Sequence, residues 1–269
     1  MHHEILLATA VSLLLAGTAN AALLTHEGFD YQPASQLNEQ GGGTGWDGVS
    51  WGQFLGGTGD HTIAAGSLSD PTNTLQTSGH RTTTGGAFAG RYPRLPDYGA
   101  TSSSFYYSLL VRPDSEPDTD DYYGLQLFSN NGGSDLFIGK GGSAMTYRLE
   151  GNSTSSDSTI SATLGQTVLL VVRVDFNPSG NTADPETFRL YVNPVPGATE
   201  PATADATLSF NLGNQNGLAL NSGNGSSVSF DEIRIGTDYA SVVPAAIPEP
   251  ASLPVLALAT ALLARRRQS

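Results

Sequence analysis

Residues able to do chemistry are few in this chain, and most of them are acidic. Asp114, Glu116, Asp118, Asp120 and Asp121 crowd a single stretch, Asp114-Ser115-Glu116-Pro117-Asp118-Thr119-Asp120-Asp121. Calcium takes roughly six to eight oxygen ligands, and flexible acidic loops supply them readily, so this stretch is the candidate calcium site. It lacks the placed glycine and terminal bidentate glutamate of a calcium-loop signature. A solvated hairpin tip is the simpler reading, since charged tips also discourage edge-to-edge association. Asp231, Glu232 and Arg234 form a charged cluster inside a convincing strand. Asp231 shares parity with Ile233 and Ile235, so a regular strand turns its carboxylate inward, where it must be paired. Its functional reading is a sugar- or metal-contacting acid. Its structural reading is a pair with an arginine of a neighbouring strand, such as Arg173 or Arg189.

Trp46, Trp51, Tyr92 and Tyr98 lie in or beside loops. Aromatic rings there can stack on sugars, or they can cap a core. Glycoside hydrolysis needs two facing carboxylates, and no glutamate recurs at i, i+2 or i, i+4 with another acid on a strand. His26, His61 and His80 show no metal-ligand spacing. No nucleophile elbow, phosphate loop or dinucleotide fingerprint is present. The sequence calls for no cofactor, with calcium at the acidic loop as the single candidate.

These residues sit in a chain of 269 residues, 12 Lys+Arg against 25 Asp+Glu, no cysteine, and 32 glycines. A net charge of -13 opposes nucleic-acid binding, which needs cationic side chains on phosphates. The absence of cysteine removes disulfides, thiol catalysis and Cys-ligated metal sites. One lysine, Lys140, among many Gly, Ser and Thr residues reads as an extracellular β-protein.

The elements that position these groups are short strands between Gly, Asn, Ser and Pro clusters. Ser104 to Arg112 alternates, with Phe105, Tyr107, Leu109 and Val111 on one face. Strands follow at Tyr122–Phe128, Asp135–Gly139, Met145–Leu149, Glu186–Val192, Ala206–Leu212 and Val228–Ile235. Thr167 to Phe176 places Val168, Leu170, Val172, Val174 and Phe176 on one face. Its other face begins apolar at Leu169 and Val171 and ends polar at Arg173 and Asp175, the pattern of a central strand covered at one end. Ser153 to Ser161 reads as a polar loop, as do 41–60 and 77–86. Strands so spaced, without intervening helices, predict an all-β fold, an antiparallel β-sandwich over 22–239.

The ends carry different information. Ile5 to Ala16 is apolar and is followed by Ala19-Asn20-Ala21, the small-x-small pattern cut by signal peptidase; 1–21 is read as a secretory signal helix. Residues 240–247 are read as a stalk. Then come Pro248-Glu249-Pro250, an apolar stretch over 251–264, and Arg265-Arg266-Arg267. At ~1.5 Å per residue the stretch reaches about 21 Å, a marginal span of a ~30 Å hydrocarbon core, with the arginines held cytoplasmic.

The order and terminal position of this tail, 248–269, resemble the PEP-CTERM sorting signal of exported bacterial proteins. Pro254 departs mildly from that pattern. The resemblance implies that Pro248, Glu249, Pro250, Arg265, Arg266 and Arg267 are recognition residues for an exosortase. The chain would then be anchored in the inner membrane through its C-terminal helix, and after processing reach the envelope or the exterior. The opening Glu27-Gly28-Phe29-Asp30-Tyr31, with Gly41-Gly42-Gly43-Thr44-Gly45-Trp46, and the closing Ser229-Phe230-Asp231-Glu232-Ile233-Arg234-Ile235-Gly236 resemble concanavalin A-like, laminin-G-type jelly rolls. That superfamily holds lectins, hydrolases and adhesion modules, so the resemblance implies a fold and leaves function open. The Glu-x-Asp-x-Glu strand of its laminarinase-type hydrolases is absent. The expectation is a non-enzymatic exported protein contacting exopolysaccharide. The alternative is a carbohydrate-active enzyme, hydrolase or lyase, whose acids come from separate strands.

Overall fold

A computed structural model describes residues 23–38, 40–46, 50–51, 61–85, 88–91, 103–129, 135–177, 183–213 and 215–246. The signal region, Tyr92, Tyr98 and the whole sorting tail lie outside the described residues. Fourteen strands and one short helix are described: β1 (Leu23–Glu27), β2 (Thr62–Ala64), β3 (Arg81–Thr84), β4 (Phe88–Arg91), β5 (Ser103–Pro113), β6 (Tyr122–Ser129), β7 (Leu136–Lys140), β8 (Thr146–Gly151), β9 (Thr154–Ser161), β10 (Val168–Phe176), β11 (Glu186–Val192), β12 (Ala206–Phe210), β13 (Gln215–Gly223), β14 (Val228–Gly236) and α1 (Tyr239–Val242). No helix among the described residues is long and apolar enough to cross a membrane.

The strands form two antiparallel sheets of a jelly-roll sandwich. The larger runs β12-β11-β10-β5-β14-β3-β2, with β1 also on β14; the smaller runs β4-β13-β6-β7-β8-β9. Alternation drives the packing. One parity of β10 (Val168, Leu170, Val172, Val174, Phe176) and one of β5 (Tyr107, Leu109, Val111) are buried against Leu125, Leu127, Leu136, Ile138 and Leu149 of the smaller sheet. The expected strand at 167–176 is central, between β5 and β11. Its second face is covered at one end, where Leu169 and Val171 meet Leu68, Leu75, Tyr239, Val242 and Val243 in a second core.

Three expectations change here. The stretch 77–86, expected as a loop, contains strand β3, which pairs with β14 and β2. The polar segment 153–161 forms edge strand β9, mostly exposed and paired only with β8 among the described residues; an edge has no second partner to demand apolar alternation. Residues 240–246, expected as a stalk, are docked on the larger sheet. The Gly197 amide donates to Val243 O at 2.9 Å, the Gln76 amide to Pro244 O at 3.0 Å, and the Ala246 amide to Thr74 O at 2.6 Å.

Candidate functional site

The smaller sheet keeps one face open, and its register gathers functional side chains there. Gln126 pairs with Phe137, and Phe137 with Glu150. Their strand neighbours Leu125, Leu127, Leu136, Ile138 and Leu149 are buried in the core, so period 2 turns Gln126, Phe137 and Glu150 outward together. Tyr122, of the same parity as Gln126, joins them. A groove of about 510 Å³ runs over these residues, bordered by Asp135 and by the turns at 141–143 and 151–153. The rings of Tyr122 and Phe137 are half-buried, and Glu150, Ser143, Asn152 and Ser153 are exposed. Gln126 organises the floor. It donates to Asp135 at 3.0 Å and accepts from Asn221 Nδ2 at 2.8 Å.

Glycine lets the strands and the Tyr122 ring pack closely. Gly124 and Gly139 face each other across β6 and β7, and a Cβ on Gly139 would lie 2.2 Å from Tyr123 O. At one end, a Cβ on Gly223 would strike the Tyr122 ring at 2.3 Å. Half-exposed rings beside amides, hydroxyls and carboxylates can stack on a sugar face and bond its hydroxyls.

The acidic loop precedes Tyr122 in the chain, and the cation it holds is Lys140. This side chain shares the inward parity of Leu136 and Ile138, stands in register between Tyr123 and Tyr147, and is fully buried. Its ammonium donates to the carbonyls of Asp118 and Asp121. Burial lowers its pKa, while Asp121, Asp118 and Asp120 act in the opposite sense. Three of the expected calcium ligands, Asp114, Asp118 and Asp121, are engaged otherwise. Asp114 pairs with Arg112 at 2.7 Å and accepts from Ser229 Oγ at 2.5 Å. Asp118 accepts from the amides of Asp120 and Asp121 at 2.8 and 3.0 Å, and those two bonds lower its pKa. Asp121 is buried and accepts from the Asp118 amide at 3.3 Å. Glu116 is exposed. Among the described residues no group of three His, Asp or Glu side chains is placed to hold a metal. The loop is folded about an internal ammonium, and Asp120 O accepts from Asn224 at 2.7 Å.

Trp46 and Trp51, expected as stacking platforms, are corrected to core residues. They are 2% and 0% exposed, with ring centroids 5.7 Å apart, so neither offers a face to a ligand. The opening Glu27-Gly28-Phe29-Asp30-Tyr31 explains their place. Buried Glu27 accepts from Trp51 Nε1 at 2.9 Å, the Phe29 amide at 2.9 Å and Tyr31 Oη at 2.6 Å.

The Asp231 cluster is also corrected. A bulge between Asp231 and Arg234, with Glu232 at φ 52, shifts Asp231 out of the parity of Ile233. It moves to the side of Arg234, opposite Leu110 of the second core. Asp231 does not pair with Arg173 or Arg189. It accepts from the amides of Leu68 and Glu232 at 2.7 and 2.8 Å, and burial, then the Glu232 charge, raises its pKa well above the usual range. Glu232 binds His26 at 2.7 Å, Arg234 at 2.6 Å and the Ser78 amide, which fastens β1 and the 76–78 segment to β14. Arg173 and Arg189 instead hold Asp175. Arg173 also reaches Glu200, which accepts from Tyr106 and Tyr191 at 2.7 and 2.6 Å.

Sequence pattern alone does not single out Tyr122, Gln126, Phe137 or Glu150. The available signal was the run of polar, aromatic or glycine residues at the outward positions of three successive strands.

No family model and no curated protein matches the sequence. Among solved structures, the fold is similar to an endo-1,3-beta-glucanase from Streptomyces sioyaensis, with TM-score 0.48 and 10% identity over 82% of this chain and 98% of that one. It is similar to the T. cruzi calreticulin globular domain, TM-score 0.43 and 10% identity over 82% and 90% of the two chains. A Trypanosoma rangeli sialidase gives TM-score 0.46 and 12% identity over 82% of this chain, which spans only 32% of that enzyme.

Proposed function

We propose that this is an exported, non-enzymatic envelope or matrix protein whose concanavalin A-like sandwich binds polysaccharide along the groove of the smaller sheet. The observation that carries this reading is the groove itself, an open channel with the half-buried rings of Tyr122 and Phe137 set among Gln126, Asp135, Glu150 and loop hydroxyls. Its size suits a few sugar rings. Export and sorting rest on the signal-like start and on the tail Pro248-Glu249-Pro250 to Arg267, with signal peptidase and an exosortase as processing partners.

One observation favours an enzyme. Asp135 and Glu150 border the same groove at diagonal positions of paired strands. Inverting glycosidases place two carboxyl groups ~6.5–9.5 Å apart about the scissile bond. Asp135, however, is already bonded to Gln126, which suits it to accept a ligand hydroxyl.

Incubating the full chain with soluble polysaccharides and following both retention and reducing-end release separates the two readings. Retention without new reducing ends supports a binding protein. Release abolished by D135N or E150Q establishes the enzyme instead. For sorting, deleting 248–269 is expected to redistribute the protein between cell fractions, and identical fractionation would remove that part of the proposal.

A further inference from the structure

The charge of the groove narrows the glycan. No lysine or arginine is among the residues lining it, whereas Asp135 and Glu150 both are. Glu150 is ion-paired with Arg148 at 3.7 Å, a separation beyond hydrogen-bond reach. Arg148 is shared with a second carboxylate. It donates to Ser143 at 2.6 Å and to Ser155, and pairs with Asp157 at 3.0 Å. The Glu150 side chain is 48% exposed and, among the described residues, accepts no hydrogen bond. The rest of the molecule does not compensate. Its net charge is -13, and its single lysine is buried in the acidic loop.

A channel lined by one sign of charge concentrates the opposite sign and repels its own. Resting on the polysaccharide reading above, we infer that the groove takes an amine-bearing glycan, a polymer of 2-amino-2-deoxy sugars with free amino groups. An ammonium sits against Glu150, and the sugar faces lie on Tyr122 and Phe137. Neutral glycans bind more weakly, and uronate polymers are excluded. Glu150 and Asp157 share the one Arg148, Asp135 adds a third carboxylate at the groove, and the Glu150 oxygens accept no hydrogen bond among the described residues, which leaves them open to an ammonium.

The test is calorimetric titration of the full chain, in mild detergent and with a chelator present, with four hexamers: glucosamine, N-acetylglucosamine, glucose and galacturonate. The expected result is binding of the glucosamine hexamer about tenfold or more tighter than the acetylated one. That preference should shrink with added salt and be lost in E150Q, whose exposed position leaves the fold intact. Galacturonate should not bind. Equal binding of amino and neutral hexamers, unchanged in E150Q, overturns the amine inference and leaves the polysaccharide reading standing. Galacturonate binding overturns the inference as well. No binding of any hexamer by chain whose circular dichroism shows the folded sandwich overturns the polysaccharide reading itself.

Discussion

Replacing Lys140 with Met keeps most of the volume of a fully buried side chain and removes only its charge and donors. Two carbonyls, Asp118 O and Asp121 O, then lose the ammonium that serves them. Each hydrogen bond to a charged group is worth about 1.5–3 kcal/mol, and removing one partner of a buried charged arrangement costs about 3–5 kcal/mol. Relief of the buried ammonium's desolvation offsets part of this, so a net loss of about 3 kcal/mol is expected. In a domain of this size each kcal/mol moves the melting temperature by about 2–4 °C, giving a drop of roughly 6–12 °C. Differential scanning calorimetry of the wild-type and K140M chains reads it directly. The same experiment with calcium tests what the loop holds. Calcium is expected to leave the wild-type melting temperature unchanged, because Lys140 already serves the loop carbonyls. A K140M chain melting within about 2 °C of wild type, or a clear rise of the wild-type value with calcium, would refute the reasoning.

Other perturbations probe the frame around the groove. E27A strands the buried Trp51 indole N–H and two further donors, and a loss of about 3 kcal/mol in urea unfolding is expected. G139V forces side-chain atoms onto Tyr123 O, 2.2 Å from where a Cβ would stand; a cost of about 1–3 kcal/mol and weaker glycan retention should follow together. Burial raises the pKa of Glu200, but donation from Tyr191 and Tyr106 and the charge of Arg173 outweigh it, so the pKa lies below the ordinary glutamate value. A carboxylate lowered in the folded state adds stability that is present above its unfolded pKa, about 4.3, and is lost as pH falls through the folded value. E200Q should therefore cost about 1 kcal/mol at pH 7, a difference that shrinks in paired urea titrations as pH falls below about 4.3 and through the folded value.

How much of this was legible in the sequence depends on where each signal resided. Strands with clean alternation and two partners, β5 and β10, show themselves, and the polar end of β10 at Arg173 and Asp175 marks where its cover stops. Strand β9, Thr-Ser-Ser-Asp-Ser-Thr-Ile-Ser, has backbone pairing but almost no apolar parity, and β13 is flanked by Asn and Gly residues that read as turn. The bulge at Glu232 reverses the face of Asp231, and parity counting cannot foresee one inserted residue. Lys140 offered a usable clue. A lysine in register with Leu136 and Ile138 needs oxygen partners, and the acidic loop beside it supplies them. The groove was the least legible feature, because Gln126, Phe137 and Glu150 become neighbours only through the register of three strands. Aromatic residues near loops read as stacking platforms, yet Trp46 and Trp51 are core residues, and Trp51 serves Glu27.

The central claim is that the open face of the smaller sheet is a polysaccharide site, and a glycan array probed with the full chain and its F137A variant tests it most directly. Phe137 is half-exposed on the groove floor, and base–aromatic-type stacking losses of about 1–3 kcal/mol set the scale for removing a ring from a sugar face, roughly a fivefold to hundredfold loss. The account predicts that wild type binds a defined set of glycans and that F137A, folded by circular dichroism, loses them. Binding that survives in F137A at wild-type strength, or a folded wild-type chain that binds no glycan, would contradict it.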